Sequence, residues 1–202
     1  MPKTYSDTER TYIKKRLKEE AAYCLLNFGV KRTTVDDLIN RVKIPKGTFY
    51  LFYKSKELLL FEVLQDQHEI IENQLLKEIQ SLGGKATVDN LSETIYRFYK
   101  AADDSGILKL LTTGEIELLY RKLPQDVLQE HFTHDSQLVK KIIAELSIDQ
   151  KNNIDALSAA FRNLFIMMVY KREMGEKFFD EALKLTIRGL VIQMLGGIYD
   201  NG

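Results

Sequence analysis

Apolar residues recur three and four positions apart along most of the chain, the spacing that places them on one face of an α-helix. The pattern predicts a first helix that starts with the capping box Ser6–Glu9 and ends at Gly29. Its inner face is predicted to contain Ile13, Leu17, Ala21, Cys24, Leu25 and Phe28, while Lys14, Lys15 and Lys18 are expected to lie outward, on a solvated face or against phosphate. It predicts a second long helix from Ser55 to about Leu82, ended by a Gly-Gly pair. Further helices are predicted at about 88–102, 107–111, 114–122, 124–146, 150–174 and 176–195. The chain is therefore expected to be all-α, with about nine helices in total.

The stretch between the two long helices, Thr33 to Glu57, predicts two short helices joined by a tight turn. The hydroxyls at Thr33 and Thr34 can cap the first short helix, whose first turn is acidic. The turn is Lys43-Ile44, and Pro45 opens the second short helix because its fixed φ suits a first helical turn. We interpret the stretch as a helix-turn-helix whose second helix is the recognition helix.

The second short helix has two different sides. Three aromatic residues can pack back on the first short helix: Phe49, Phe52 and Tyr53. The residues expected to face outward are Lys46, Thr48, Tyr50 and Leu51, and Gly47 lets the backbone approach closely. A DNA major groove is about 12 Å wide and admits one such helix. We expect Lys46, Thr48 and Tyr50 to approach bases and backbone, and Thr33, Thr34, Lys54 and Lys56 to hold phosphates. The predicted DNA-binding residues are therefore Thr33, Thr34, Lys46, Gly47, Thr48, Tyr50, Leu51, Lys54 and Lys56.

Two motifs in this stretch, T-T-V-x-D-L and I-P-K-G-T-F-Y-x-F-Y-K-S-K-E-L, are similar to the DNA-binding domain of TetR-type transcriptional regulators. The similarity covers roughly the first sixty residues. It departs from the family pattern at Lys43, where a turn glycine is usual, so the backbone there is expected to take a conformation that costs a non-glycine residue something. It also departs at Leu51 and Phe52, so fewer hydrogen bonds to DNA are expected from that end. With the helix pattern, the resemblance implies a three-helix DNA-binding domain at residues 1–54. A larger helical ligand-binding and dimerisation domain is then expected at residues 55–202.

The last two predicted helices are rich in apolar residues, and the second is apolar around too much of its circumference for one core face. Two such helices that meet their copies across a two-fold axis would form a four-helix bundle. In TetR-type proteins this pair forms the dimer interface, so the resemblance implies a homodimer. A wholly intramolecular bundle is the alternative.

Charge is distributed unevenly, although the formal net charge of the 202 residues is zero. Residues 1–60 contain thirteen Lys and Arg against seven Asp and Glu, a net charge of +6. The remaining residues contain sixteen against twenty-two, a net charge of −6. A basic first part is expected if that part meets a polyanion. The single cysteine, Cys24, fits a reducing cytoplasm, and neither a membrane span nor a signal peptide is predicted.

An effector pocket is predicted inside the acidic domain, because aromatic and methionine residues recur on several of its helices. The candidate ligand-binding residues are Tyr96, Tyr99, Leu111, Glu115, Tyr120, Phe132, Phe161, Phe165, Met168 and Tyr170. Glu115 or Glu117 would suit a cationic ligand if either faces inward. The same residue types at helical spacing are also typical of an ordinary core, and the sequence leaves both interpretations open.

Catalytic and metal-binding chemistry is weakly represented in the sequence. His131 and His134 lie three positions apart near Asp135, a spacing that can place two metal ligands on one helix face. Two ligands without a third do not make a site, so no metal and no cofactor is predicted, and an enzyme is disfavoured. The combined prediction is a ligand-responsive regulator, a repressor that binds a near-palindromic operator as a dimer. The alternative is an interaction module that keeps the helix-turn-helix shape without specific DNA binding.

Overall fold

The computed structural model describes residues 5–129, 138–147 and 154–196, and every regular element in these ranges is a helix. The helices are α1 Asp7–Arg32, α2 Val35–Val42, α3 Lys46–Phe52, α4 Lys56–Leu82, α5 Val88–Asp104, α6 Ile107–Thr112, α7 Glu115–Tyr120, α8 Leu138–Glu145, α9 Ile154–Val169, α10 Lys171–Met174 and α11 Glu176–Met194. A 3₁₀ turn, Gly83–Lys85, follows α4, and residues 125–129 are also helical. The all-α prediction is confirmed.

Three of these helices begin in the same way. Ser6, Thr34 and Thr87 each accept a hydrogen bond from the backbone N–H three positions later, and the side chain of that later residue accepts one in return. This arrangement is a capping box, which satisfies two N–H groups that a helix start leaves without partners. Ser55 accepts a backbone hydrogen bond from Leu58 at 3.2 Å at the start of α4. The starts of α1, α2 and α4 therefore follow from local sequence.

Gly29 interrupts α1. Its φ of 78° and ψ of 178° are not helical, and the chain resumes a helical turn that ends at Arg32. A positive φ is readily adopted by glycine because it has no Cβ. The predicted end of the helix at Gly29 matches this break. Phe28, which the pattern assigned to the inner face, is 41% exposed, because the chain leaves the core side just before the break.

One predicted helix differs from the observed structure, and another is described only in part. The predicted helix at 150–174 breaks at Tyr170, whose φ of −100° and ψ of 22° separate α9 from α10. The predicted helix at 124–146 crosses residues 130–137, which lie outside the described residues. Its described parts are helical, and the end near Leu146 is marked by Ser147 with a φ of 50°.

The chain divides into two compact units, and the division does not follow the predicted boundary at residue 54. The first unit contains the described residues up to His68 together with Thr113–Pro124. The second unit contains Glu69–Thr112 and the described residues from Gln125 onward. Helix α4 belongs to both units.

Each unit has its own core. The core of the first unit is made by fully buried side chains of α1 to α4, namely Leu17, Ala21, Cys24, Leu25, Leu38, Phe49, Leu59 and Leu60. Burial raises the pKa of the Cys24 thiol, which agrees with a packing role for this residue. The core of the second unit is centred on Ile79, Leu91, Tyr99, Leu164, Leu183, Ile187, Val191 and Met194. Among the described helices, none combines the length and the apolar character that crossing a membrane would take.

Candidate nucleic-acid interface

The turn between α2 and α3 is tight and includes a left-handed residue. Lys43 has φ 59° and ψ 49°, and the N–H of Ile44 donates to the Ile39 carbonyl at 3.1 Å. The prediction that Lys43 takes a conformation better suited to glycine is confirmed, and such a residue costs about 1 kcal/mol. Pro45 is the N-cap of α3, one position earlier than predicted, and the helix itself begins at Lys46. This turn fixes the direction in which α3 leaves α2.

The inner face of α3 is anchored to the rest of the first unit. The Phe49 side chain is fully buried, with its ring centroid 6.1 Å from that of Tyr53. The Arg10 guanidinium of α1 lies 5.2 Å from the Phe52 ring centroid, a cation–π contact. These contacts agree with the predicted apolar side of the recognition helix, and they leave the opposite side of α3 available.

Thr48 belongs to this inner face. It is 6% exposed, and its hydroxyl shares a hydrogen bond of 2.8 Å with the Tyr5 hydroxyl. The prediction that Thr48 faces outward is therefore wrong, because the chain preceding α1 covers it. The sequence gave no signal for this contact, since the two residues are 43 positions apart.

The outer face of α3 exposes three side chains. Lys46, Tyr50 and Leu51 are all exposed, the last two at 52% and 55%. Lys46 and Tyr50 are four positions apart and therefore lie above one another on the same face. Gly47 is exposed, with open space where a Cβ would stand. This surface combines a cation, a phenol and a close approach to the backbone, which is what a phosphate-lined groove can bind.

Asp36, in the first turn of α2, faces this surface and was missed by sequence reasoning. Its Oδ1 accepts a hydrogen bond from the Lys46 Nζ at 2.9 Å, and both side chains are exposed. This hydrogen bond raises the pKa of Lys46. The sequence gives little indication of this ion pair, because the two residues are ten positions apart and meet only through the fold of the turn. In the absence of DNA, the Asp36 carboxylate is therefore paired with the Lys46 ammonium group that we expect to contact DNA.

Three other predicted DNA-binding residues are engaged inside the first unit. The Thr33 hydroxyl is buried and donates to the Gly29 carbonyl at 2.7 Å. The Thr34 hydroxyl is part of the capping box of α2. The Lys56 ammonium donates to the carbonyls of Val30, at 2.6 Å, and of Thr33, and burial lowers its pKa. Their contact with DNA stays a prediction, and Lys54, which is exposed, differs from all three.

Two lysines of α1 that the pattern left outward, Lys14 and Lys18, bind α4 instead. Both ammonium groups lie 2.9 Å from the Glu62 Oε1, and Lys18 also contacts Asp66 at 2.5 Å. Burial raises the pKa of Glu62, but hydrogen bonds from Lys18 and Lys14 outweigh it, so the pKa lies below its ordinary value. The contribution of Glu62 to stability is therefore present above that ordinary value and is lost as the pH falls through the folded-state pKa. The i,i+4 spacing on both helices was the available sequence signal.

Five of the ten predicted effector-binding residues, Tyr96, Tyr99, Phe161, Phe165 and Met168, pack in or against the core of the second unit. The Tyr99 hydroxyl donates to the Phe161 carbonyl at 2.7 Å, and the ring centroids of Tyr99 and Phe165 are 4.7 Å apart. Phe161 and Met168 are buried, and burial raises the pKa of Tyr99. In the described structure, these residues are part of the closely packed core of the second unit.

A surface cavity of about 180 Å³ lies beside this core in the second unit. Tyr96 lines it, with the Lys184 ammonium 4.4 Å from its ring centroid. The remaining lining residues are Asp89, Ser92, Glu93 and Arg188. Ligand pockets usually measure about 300–1,000 Å³ and are mainly apolar. This cavity is smaller than the predicted effector pocket, and four of its six lining residues are charged.

The remaining effector candidates are distributed differently. Glu115 and Tyr120 lie in the first unit, where Glu115 accepts hydrogen bonds from α1 and the Tyr120 ring centroid is 6.1 Å from that of Phe61. Leu111 lies in α6, and Tyr170, between α9 and α10, is 54% exposed. Phe132, His131 and His134 lie outside the described residues. In the described ranges, no group of three or more His, Cys, Asp and Glu side chains is placed to hold a metal ion.

Comparison with known proteins finds a family match within the first unit. Residues 19–63 match the family described as bacterial regulatory proteins, tetR family, a range that contains α2, α3 and the exposed surface around Lys46. The chain is 33% identical over 86 residues to the uncharacterized HTH-type transcriptional regulator YhgD of Bacillus subtilis (strain 168). That alignment covers 42% of this chain and 41% of the relative, so the chain spans less than half the length of the curated relative that it matches. The resemblance seen in the two sequence motifs is thereby confirmed.

Proposed function

We propose that this protein is a DNA-binding transcriptional regulator that acts as a ligand-released repressor, because residues 19–63 match the tetR family of bacterial regulatory proteins. The observation that carries the proposal is the two-sided recognition helix α3. Its inner side is fixed by Phe49 and Thr48, and its outer side exposes Lys46 and Tyr50. The surrounding first sixty residues carry a net charge of +6. A rigid helix that offers such groups suits a major groove.

The DNA-contacting residues divide into two roles in this proposal. Direct contacts come from the exposed residues Lys46, Gly47, Tyr50, Leu51 and Lys54. The engaged residues Thr33, Thr34, Thr48 and Lys56 hold the contacting helix in place. Rigid positioning matters because groove contacts depend on where the helix sits on the duplex.

The repressor acts as a homodimer in this proposal. Support comes from large apolar side chains exposed on the last helices of the isolated chain, namely Ile166, Tyr170, Phe178 and Leu185. Exposed apolar surface of this kind is typical of an interface between subunits. A dimer would set two recognition helices about 34 Å apart, one turn of DNA, and would therefore select a near-palindromic operator.

Release by a small apolar or amphipathic ligand completes the proposal, with residues 55–202 as the ligand-binding and dimerisation part. The aromatic core of α5 and α9 is its site, and Tyr99 is its central polar group. Because this core is closely packed, the ligand would have to bind a more open state, and it acts by its differential affinity for the two states. Helix α4, which belongs to both units, is the proposed route to the recognition helix. The proposed location is the cytoplasm, where the operator DNA would be.

The proposal is tested by titrating a labelled DNA fragment from upstream of the protein's own gene, at several salt concentrations. We expect affinity to fall steeply as salt rises, because each phosphate contact releases counterions. The substitution Lys46→Ala should lower affinity about tenfold and reduce the slope of log affinity against log salt by about one.

Lys85→Ala is the matched control, since Lys85 is an exposed lysine of the second unit. It should leave both affinity and salt dependence unchanged. Undiminished binding by a dimeric Lys46→Ala protein would contradict the assignment of α3 as the recognition helix. Complete absence of DNA binding by the wild-type protein would favour the interaction module, for which the exposed apolar Leu51 on α3 is the supporting observation.

A further inference from the structure

The junction between α1 and α2 is held by two charged side chains from distant parts of the sequence. Because Gly29 breaks α1, the N–H groups just after it lack the carbonyl partners that an unbroken helix would supply. The Glu115 carboxylate takes their place: its Oε2 accepts from the Val30 N–H at 2.5 Å and from the Lys31 N–H at 3.3 Å. A charged acceptor makes such hydrogen bonds stronger than neutral ones.

The opposite side of the same junction is bound by Lys56 at the start of α4. Its ammonium donates to the carbonyls of Val30 and Thr33. Val30 therefore has its N–H bound by a carboxylate and its carbonyl bound by an ammonium. Thr33 directly precedes Thr34, the N-cap of α2, so this arrangement fixes the point from which α2 starts.

Glu115 and Gly29 are also in close contact. A Cβ built on Gly29 would lie 2.7 Å from the carboxyl carbon of Glu115, closer than two such atoms can approach. Glycine is thus required twice at this position, by its φ of 78° and by the carboxylate beside it. The fit is specific to this pair of residues.

The segment that supplies Glu115 has an unusual place in the chain. Thr113–Pro124 belongs to the first unit, while the residues before and after it belong to the second. Besides Glu115, the segment is held in the first unit by the contact of Tyr120 with Phe61 and by an ion pair of 3.2 Å between Lys122 and Glu57. Residues from the middle of the sequence thus complete the amino-terminal unit.

We propose that Glu115 is a positioning residue for DNA binding: it sets the start of α2, and through α2 the placement of the recognition helix α3. This role rests on the proposed function. The carboxylate contacts no DNA; it holds the backbone on which the exposed Lys46 and Tyr50 depend. A helix-turn-helix cut from the chain before Thr113 would lack this support.

The test compares Glu115→Gln with Glu117→Gln in the full-length protein. Glu117 is on the same helix, is exposed, and pairs with Arg121, the C-cap of that helix, so it is a matched control. We expect Glu115→Gln to lower affinity for the operator fragment about tenfold, through loss of the charge on two backbone hydrogen bonds. Glu117→Gln should bind as the wild type does. Glu115→Asp, which keeps the charge on a shorter stem, should lose less affinity and replaces the Gln variant if that variant does not fold.

A second readout reports on the junction itself. In two-dimensional NMR spectra, the Val30 and Lys31 amide proton signals should move upfield in Glu115→Gln and exchange with solvent faster. The signals of α1 before Gly29 should stay in place in Glu115→Gln. In Glu117→Gln, the Val30 and Lys31 signals should stay in place.

The outcomes separate this role from the proposed function. Wild-type affinity in Glu115→Gln, or reduced affinity with unmoved Val30 and Lys31 signals, would overturn the positioning role and leave the proposed function intact. Absence of DNA binding in the wild-type and Glu117→Gln proteins would overturn the proposed function and this role together. Reduced affinity accompanied by moved amide signals is the result that we expect.

Discussion

Two helices of this protein expose opposite kinds of surface, although each has a buried inner face. Helix α3 rests on the fully buried Phe49 and shows Lys46 and Tyr50 to solvent. Helix α11 rests on Leu183, Ile187, Val191 and Met194, all fully buried, and yet exposes Phe178 at 61% and Leu185 at 72%. A cation beside a phenol suits a hydrated polyanion, whereas exposed apolar side chains suit another apolar surface. The two exposed faces therefore support the two different partners that we propose, DNA and a second copy of the chain.

The two proposed contacts should also respond differently to conditions. Binding of DNA at α3 releases counterions and weakens as salt rises. Association through α11 is driven by burial of apolar area and should depend little on salt. Operator binding at high salt should therefore fail while the dimer persists, so each contact can be broken separately.

The largest expected effect comes from breaking the proposed dimer face. Leu185→Glu places a charge where the second copy would bury an apolar side chain, and it should yield monomers in sedimentation at micromolar concentration. Operator affinity should then fall about a hundredfold or more, because the two half-sites are no longer bound by one linked assembly.

The control for this change is Ile70→Glu, which alters another highly exposed apolar residue, in α4. This variant should sediment with the same mass as the wild-type assembly and should bind the operator with the same affinity. A Leu185→Glu protein that sediments as a dimer would move the dimer face away from α11 and would return the wholly intramolecular bundle to consideration.

A smaller effect is expected from removing one helix cap in each of the two units. Thr34→Ala and Thr87→Ala each remove a capping box, and each should lower the free energy of unfolding by about 1 kcal/mol in urea titrations. Thr34→Ala should also lower operator affinity about fivefold, because α2 supports α3. Equal operator affinities in the two variants would indicate that the start of α2 does not control the recognition helix.

The smallest effect concerns the carboxylate on the DNA-facing surface. Asp36→Asn removes the ion-pair partner of Lys46 and one negative charge near the phosphates, so operator affinity should rise about threefold. Asp155→Asn is the control, since Asp155 pairs with Lys140 at 3.9 Å in the second unit and should leave affinity unchanged. A decrease in affinity for Asp36→Asn would instead assign Asp36 to direct contact with a base.

The sequence alone determined what depends on residues a few positions apart. The capping box at Ser6, a hydroxyl cap on α2 and the packing of Phe49 were all predicted, because spacing within one turn decides which groups can meet. The strained turn at Lys43 was expected from the resemblance, because a glycine is usual there. The recognition helix and its basic surroundings followed from the same local pattern. Tyr170, where a predicted long helix breaks, shows that local pattern can also mislead when no proline or glycine marks the break.

Only the tertiary structure decided which of the candidate residues remain exposed. Thr48 contacts Tyr5, 43 positions away, and Glu115 contacts Val30, 85 positions away. No local spacing of residues in the sequence could predict either contact. Lys56 and Thr33 are of the residue types that often contact DNA, but here they bind the backbone of their own unit. The physical reason is that spacing fixes the face of a helix on which a side chain lies. The neighbour that this face meets depends on how the whole chain packs.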